Sequence, residues 1–421
     1  MEDNQIDIVE TYAFDKLMKA YLVMLSAVSL YNLYATTMFG QYRILKVLMG
    51  LVMIVSEIIL IILALKSYRV YGREHGGLLK LIIWIVLLYN MTHIAYAATW
   101  DDKVVYLSLF GNPIYQPAFM LPFVLIVGMN ITGIRHLYKA ILYYTLIAIP
   151  MFFFTGQMSV FLGMGLLFLL AFLRYFPRGW RIFLLLFVVA YIIYSYYDDA
   201  RIPIIRVLMG LAIFVFSLTS LHKSILIKTF VLVVAIAMPI YYLALFVKTG
   251  YSVFEESTTT ERVSRMGVDD TGDTRTFLYE EVFDDLTESK AWLLGKGING
   301  TYYSSYFDQK RVNADAADRI LVEVGFLDYL LKGGLVQTIL YMLLLLLAIF
   351  NCYYRSSSKS MVLIGAILLA HYVLLFVEDV PRYDLYNFAM WFCIGMSFSP
   401  TLLEQDDDFF LEQIDLIFSK A

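Results

Sequence analysis

The chain has 421 residues, of which 60% are hydrophobic, 16% aromatic and 16% charged, with a formal net charge of −4 and a mean hydropathy of +0.71. So much apolar side chain excludes a soluble enzyme, and the charge balance gives no broad positive field for nucleic acid. Cys352 and Cys393 both fall in or beside apolar runs, so no disulfide framework supports the polar regions and redox chemistry is not expected.

The N-terminus, "MEDNQIDIVETYAFDK", is acidic, and the apolar run after it is as long as a full span. Neither part of a cleaved secretory signal is present, so the first span is expected to stay in the protein. Crossing the hydrocarbon core as a helix takes roughly 17 to 25 apolar residues. Twelve runs approach that length: about 17–39, 44–65, 80–99, 114–133, 140–155, 158–173, 181–197, 203–221, 225–248, 334–353, 360–377 and 385–400. The fold class expected is an all-α polytopic membrane protein of about twelve transmembrane helices, with one large extracytoplasmic loop containing short helices.

Alternate connections, "KSYRVYGREHGGLLK", "RHLYK", "RYFPRGWR", "HKSILIK" and "RSSSK", carry thirteen Lys or Arg. The excess of positive charge marks them as cytoplasmic. The domain reading follows: spans one to nine over 1–248, a large extracytoplasmic loop over 249–333, spans ten to twelve over 334–400, and an acidic cytoplasmic tail over 401–421. That loop holds sixteen acids against nine bases. It would have to bind an anion with a few placed cations, not with a general positive field.

Within the loop, "GDTRTFLYEEVFDDLTESKAW" offers Asp273 as an N-cap, followed by Leu278, Val282 and Leu286 at helical spacing. This predicts an amphipathic helix lying on the bundle or on the lipid surface. Arg275 opens it, where a cation opposes the helix dipole. An exposed arginine without a partner and a ligand-binding arginine account for that position equally well. "LLGKGINGTYYSSYF" follows, with Gly295, Gly297 and Gly300 specifying an irregular backbone. Tyr302, Tyr303 and Tyr306 behind them could stack on sugar faces or pack at the membrane interface. "NADAADRILVEVGFLDYLLKGG" predicts a second helix with Asp315, Arg319 and Glu323 on one face, broken by Gly333 and Gly334 before the tenth span.

Arg201 and Arg206 flank the outer end of the eighth span, and Arg382 precedes the last. Positive charge is rarer on the outside, so these arginines suggest capture of an anionic group, with the planar guanidinium suited to phosphate. His93 and His371 fall in the outer halves of the third and eleventh spans, and Glu57 in the inner half of the second. A lone intramembrane histidine is more often a hydrogen-bonded packing residue than a catalyst.

The plan of twelve or so spans with one late polar loop resembles the bacterial polysaccharide polymerases of the Wzy type, relatives of the O-antigen ligases. Within the loop the resemblance rests on "TRTFLYEEV…AWLLGKGINGTYYS…DRILVEVGFLDYLLKGGLV": an Arg opening a helix, a Gly-x-Gly turn, then a helix ending in Gly-Gly. The similar ligases carry a functional His in that loop, whereas residues 249–333 contain none, which favours a polymerase. The charge of the connections and the even span count put both termini on the cytoplasmic side and the large loop outside; the resemblance implies a GT-C-like bundle in the bacterial inner membrane, so that the loop is periplasmic. It implies a glycosyltransferase-type polymerase that needs no metal and no cofactor. The growing chain would pass from its polyprenyl diphosphate to the non-reducing end of a new lipid-linked unit. Partners would be that lipid-linked oligosaccharide, as donor and acceptor, and membrane lipids, with a chain-length regulator and a flippase as further candidates and no nucleic acid. Candidates to hold the diphosphate are Arg275, Arg319, Arg201, Arg206 and Arg382; for general base, Glu323 and then His371. Three alternatives stay open: a flippase or transporter of lipid-linked sugars, an O-antigen ligase, and a glycosyltransferase using Asp101 and Asp102.

Overall fold

The structure, a computed structural model, describes residues 2–34, 43–71, 77–97, 117–130, 133–155, 159–197, 201–249, 276–304, 318–378 and 381–418. Their helices in chain order are α1 (Glu2–Tyr34), α2 (Arg43–Tyr71), α3 (Gly77–Ala97), α4 (Pro117–Met120), α5 (Pro122–Gly128), α6 (Gly133–Thr155), α7 (Ser159–Ala171), α8 (Arg178–Tyr197) and α9 (Arg201–Leu218). Then come α10 (Ile225–Thr249), α11 (Thr276–Glu288), α12 (Gly325–Phe350), α13 (Lys359–Leu375), α14 (Leu385–Phe398), α15 (Pro400–Glu404) and α16 (Asp407–Phe418). Between α11 and α12, Tyr302–Tyr303 (β1) pairs antiparallel with Asp318–Arg319 (β2). Among the described residues, three helices, over Ile44–Tyr68, Arg178–Tyr197 and Gly325–Arg355, are long and apolar enough to cross a membrane, and five further apolar helices are shorter.

The chain divides into two compact units, each described by itself. The first comprises Met1–Ile225, Leu343–Ala370 and Arg382–Ala421. Its chemistry is legible in α2, where Ile44, Leu48, Leu51, Val55, Ile58, Ile62 and Leu65 form an exposed stripe, while Met53, Ser56, Glu57, Leu60 and Leu63 are buried. A helix apolar on its outer face as well as its inner one has no side for water and suits lipid. The run expected as a span over 114–133 is instead two short pieces, α4 and α5, which break at Pro122, a residue with no N–H to continue the helix. All residues of α5 except Phe123 are buried in protein, and Gly128 and Gly395 let it cross α14 in close contact. A Cβ on Gly395 would lie 2.1 Å from the Leu125 carbonyl oxygen, and one on Gly128 would lie 2.2 Å from that of Phe392. Small residues at crossings are how membrane helices approach each other, because apolar burial alone does not drive them together.

The start of α14 shows why its first turn tolerates burial. The Asp384 carboxylate accepts from the Asn387 amide at 2.8 Å, and the Ser29 hydroxyl of α1 accepts from Leu385 N at 2.9 Å, so orphan donors find oxygens. Beside it, the Tyr383 hydroxyl lies 3.2 Å from that of Tyr21 and accepts from Ser56 Oγ at 3.3 Å.

The second unit comprises Leu226–Met342 and His371–Pro381. Here α11 forms as the spacing of its apolar residues predicts, with Leu278, Val282 and Leu286 all buried. Their partners are Tyr302, Val322, Val324, Leu327, Leu330 and Leu331, so the apolar face of α11 meets protein, not lipid. The Tyr279 hydroxyl donates to the Phe376 carbonyl at 2.7 Å, and Phe326 stacks on Phe376 with ring centroids 4.9 Å apart.

Candidate functional site

The polar residues of interest in the second unit sit on a short hairpin joined to the head of α12. Here the structure departs from the expected helix over 313–334: residues 318–319 are strand, and α12 starts only at Gly325. Val322 and Val324 are buried while Leu321 and Glu323 are less so, a period of two. Local β-branched residues and an available strand partner in Tyr302 override the helical pattern.

The joint with α12 is made by glycines. Gly334 has φ 66°, so the helix kinks there, and two intrahelical hydrogen bonds are missing: Leu335 N to Leu331 O, and Val336 N to Leu331's neighbour Lys332. The loop 292–297 satisfies all four groups. Leu335 N donates to Trp292 O at 2.8 Å and Val336 N to Leu293 O at 3.3 Å, while Lys296 N donates to Leu331 O at 2.7 Å and Gly297 N to Lys332 O at 2.9 Å. Lys296 then turns its ammonium inward, 2.7 Å from Asp285 Oδ2 and 2.6 Å from the Thr301 carbonyl oxygen, tying the loop to α11 and to the start of β1. Along α12, Asp328 and Lys332 form a buried ion pair at 2.8 Å.

On this frame sits the cluster that the sequence singled out in part. Arg319 is opposite Tyr302 in the strand register. Its Nη2 lies 3.3 Å from Glu323 Oε1, with the side chains 22% and 44% exposed respectively. Glu281, on α11, completes the electrostatic surroundings of Tyr302. Burial pushes the Tyr302 phenol above its ordinary range; Glu281 and Glu323 add to the rise, and the Arg319 charge opposes it. Tyr302 is fully buried in the core of the unit, so its ring faces are occupied by protein and not presented to a sugar; Tyr303, the next residue, is exposed.

The remaining candidates lie elsewhere. Arg275 and Tyr306, like Asp101 and Asp102, lie outside the described residues. Arg201, Arg206 and Arg382 belong to the first unit and Arg319 to the second. Arg201 is the first residue of α9. Arg206, expected at the rim, is wholly buried within that helix, and Arg382 is partly buried. His371 is buried in α13, its Nε2 2.7 Å from the Tyr341 hydroxyl, whose ring in turn stacks on Tyr329 with centroids 4.5 Å apart. That is the packing role that a lone intramembrane histidine most often plays. Sequence reasoning passed over Glu281, Lys296 and the Asp328–Lys332 pair; the spacing i, i+4 of the last was its visible signal.

The architecture is that of an all-α membrane protein whose second unit carries a mostly buried cation paired with a half-exposed carboxylate at the head of a membrane-length helix. No family model, curated protein or solved structure matches the chain.

Proposed function

We propose that the chain polymerises lipid-diphosphate-linked oligosaccharide units into a surface polysaccharide, working on the outer face of a bacterial inner membrane. In this reading about twelve spans carry both termini on the cytoplasmic side, and residues 249–333 face the periplasm. The observation that carries it is the Arg319–Glu323 pair, 3.3 Å apart, on a hairpin only a few residues before α12. A guanidinium at the mouth of a membrane helix meets the height at which the diphosphate of a polyprenyl lipid rests. In the transfer, an acceptor hydroxyl oxygen bonds to the anomeric carbon of the growing chain. The bond from that carbon to the lipid diphosphate breaks, and the diphosphate leaves with the electron pair. Arg319 stabilises the charge gathering there, and Glu323 takes the hydroxyl proton. Arg275 is the other cation proposed for the leaving group, and Tyr303 is proposed for a sugar face.

A second reading, transport of the lipid-linked sugar, draws on Glu57. Its carboxyl is buried in α2, and Oε1 has no hydrogen-bond partner among the described residues. Ionisable groups of that kind line transport paths.

The test uses Arg319→Ala and Glu323→Gln in a polysaccharide-producing host deleted for the gene, with membrane levels of the protein checked. Both variants are expected to leave single repeat units on the surface lipid in place of a ladder; normal ladders in both would end the polymerase reading. Purified protein in vesicles loaded with lipid-diphosphate oligosaccharide separates the two readings, since polymer growth supports the enzyme and transbilayer movement without growth supports the transporter.

A further inference from the structure

The segment Lys290–Leu294, between α11 and the Gly-x-Gly loop, plays no part in the reaction proposed above. Its side chains are nonetheless unusual for a polar region: Leu293 is 62% exposed and Leu294 57%, side by side, next to Trp292 and an exposed Lys290. Two adjacent exposed leucines in water would be a liability, not a default. Their position gives the reason. Through Trp292 O and Leu293 O the segment is hydrogen-bonded to Leu335 N and Val336 N, the first residues of α12 beyond its kink. Leu335 and Ile339, one turn apart on that helix, are exposed as well, Ile339 at 60%. The leucines therefore continue the outward apolar stripe of a helix long enough to cross a membrane.

Length decides where the membrane begins. At about 1.5 Å per residue, Gly325–Arg355 would run well past the roughly 30 Å of a hydrocarbon core, whereas the part beyond Gly334 matches it. The kink thus falls at the boundary, and the segment bonded to it lies at the same depth. Irregular backbone at that depth needs its polar groups satisfied, and at this joint the loop and the helix satisfy each other.

We infer that Trp292–Leu294 is a lipid-inserted finger, with Leu293 and Leu294 in the acyl boundary of one leaflet, Trp292 at the interface and Lys290 among the headgroups. The order cation, tryptophan, leucine, leucine follows the polarity gradient of a leaflet. The occupant of this surface is the bilayer itself, and the finger fixes the height of the second unit's hairpin above it. This placement is independent of the reaction proposed above.

The experiment introduces Leu293→Cys, Leu294→Cys and, as a control on the exposed turn just after α11, Ser289→Cys, one at a time in the full chain. Native Cys352 and Cys393 are buried and remain in place. Each variant is spin-labelled and set in nanodiscs of phosphatidylethanolamine and phosphatidylglycerol, then its collision rates with oxygen and with a water-soluble nickel chelate are measured. Labels at 293 and 294 are expected to favour oxygen over the chelate by about tenfold relative to 289. Labels as open to the chelate as 289 would overturn the inference, and so would labels shielded from both reagents, which would mean a protein cover. In parallel, a charged, membrane-impermeant maleimide is expected to modify the introduced cysteine at 293 or 294, followed on its own peptide by mass spectrometry, about tenfold more slowly in nanodiscs than in a detergent-denatured sample; equal rates would also overturn it.

Discussion

Gly295 and Gly334 meet back to back: each has a positive φ, 72° and 66°, and a Cβ built on either would lie 2.5 Å from the amide nitrogen of the other. Two glycines 39 positions apart are thus one structural element, through which the loop after α11 replaces the hydrogen bonds that α12 gives up at its kink.

Gly295→Ala and Gly334→Ala should each destabilise the second unit. The left-handed backbone alone costs a non-glycine residue roughly 1–2 kcal/mol. Overlap with main-chain atoms adds to that, since backbone cannot move aside as a side chain can. Thermal unfolding in detergent should show a lower midpoint for both. Gly179→Ala, where an added Cβ meets nothing within 4 Å, should show none.

The buried pair Asp328–Lys332 should behave asymmetrically. Removing one partner, as in Asp328→Ala or Lys332→Ala, leaves an uncompensated buried charge at a cost of about 3–5 kcal/mol. Replacing both, as in Asp328→Leu with Lys332→Met, should recover most of that loss, because no charge is then stranded. A double-mutant cycle on unfolding midpoints measures the coupling; additive losses would rule out the pair as a unit.

Tyr302 gives the second unit an alkaline limit. Its phenol titrates higher in the folded state than the ordinary value of 10.0, because burial disfavours the phenolate. The folded state therefore holds the proton more tightly. The associated stability is present in full below about pH 10 and is lost as pH rises through the folded value. The melting midpoint should fall on the alkaline side of pH 10, and Tyr302→Phe should flatten that fall while leaving the neutral-pH midpoint close to that of the parent protein. An identical alkaline profile in the variant would refute the assignment.

Where α5 crosses α14, Gly395→Val should destabilise the first unit more than Gly128→Ala. Both introduce atoms within about 2 Å of carbonyl oxygens, but valine adds two further methyl groups to a contact already at its limit. Limited proteolysis of the purified protein, followed by mass spectrometry of fragments from 117–128 and 385–398, would locate the damage.

Parts of this architecture could be read from the chain. Leu278, Val282 and Leu286 recur at a spacing that only a helix brings to one side, and all three are buried on α11. Gly333 and Gly334 announced a break before a membrane-length run, and the kink falls at Gly334. The four-residue spacing of Arg319 and Glu323 sets them within reach of each other, and they do pair. Their setting was not legible. The stretch from Asp318 to Val324 carries both a helical spacing of charges and a two-residue alternation of valines, and the choice between them belongs to Tyr302, which supplies the strand partner.

Composition and hydrophobic periodicity by themselves determined that the chain is helical and suited to a membrane, because those properties depend on neighbours a few residues apart. The sequence also marked the glycines as places where the backbone must bend. Tertiary structure alone decided that Gly295 would lie against Gly334, that Tyr302 would be core while Tyr303 faces out, and that Arg206 would be buried. Each of these turns on contacts between residues distant in the chain or on which side of an element faces protein, and no local pattern encodes the partner that distance brings close.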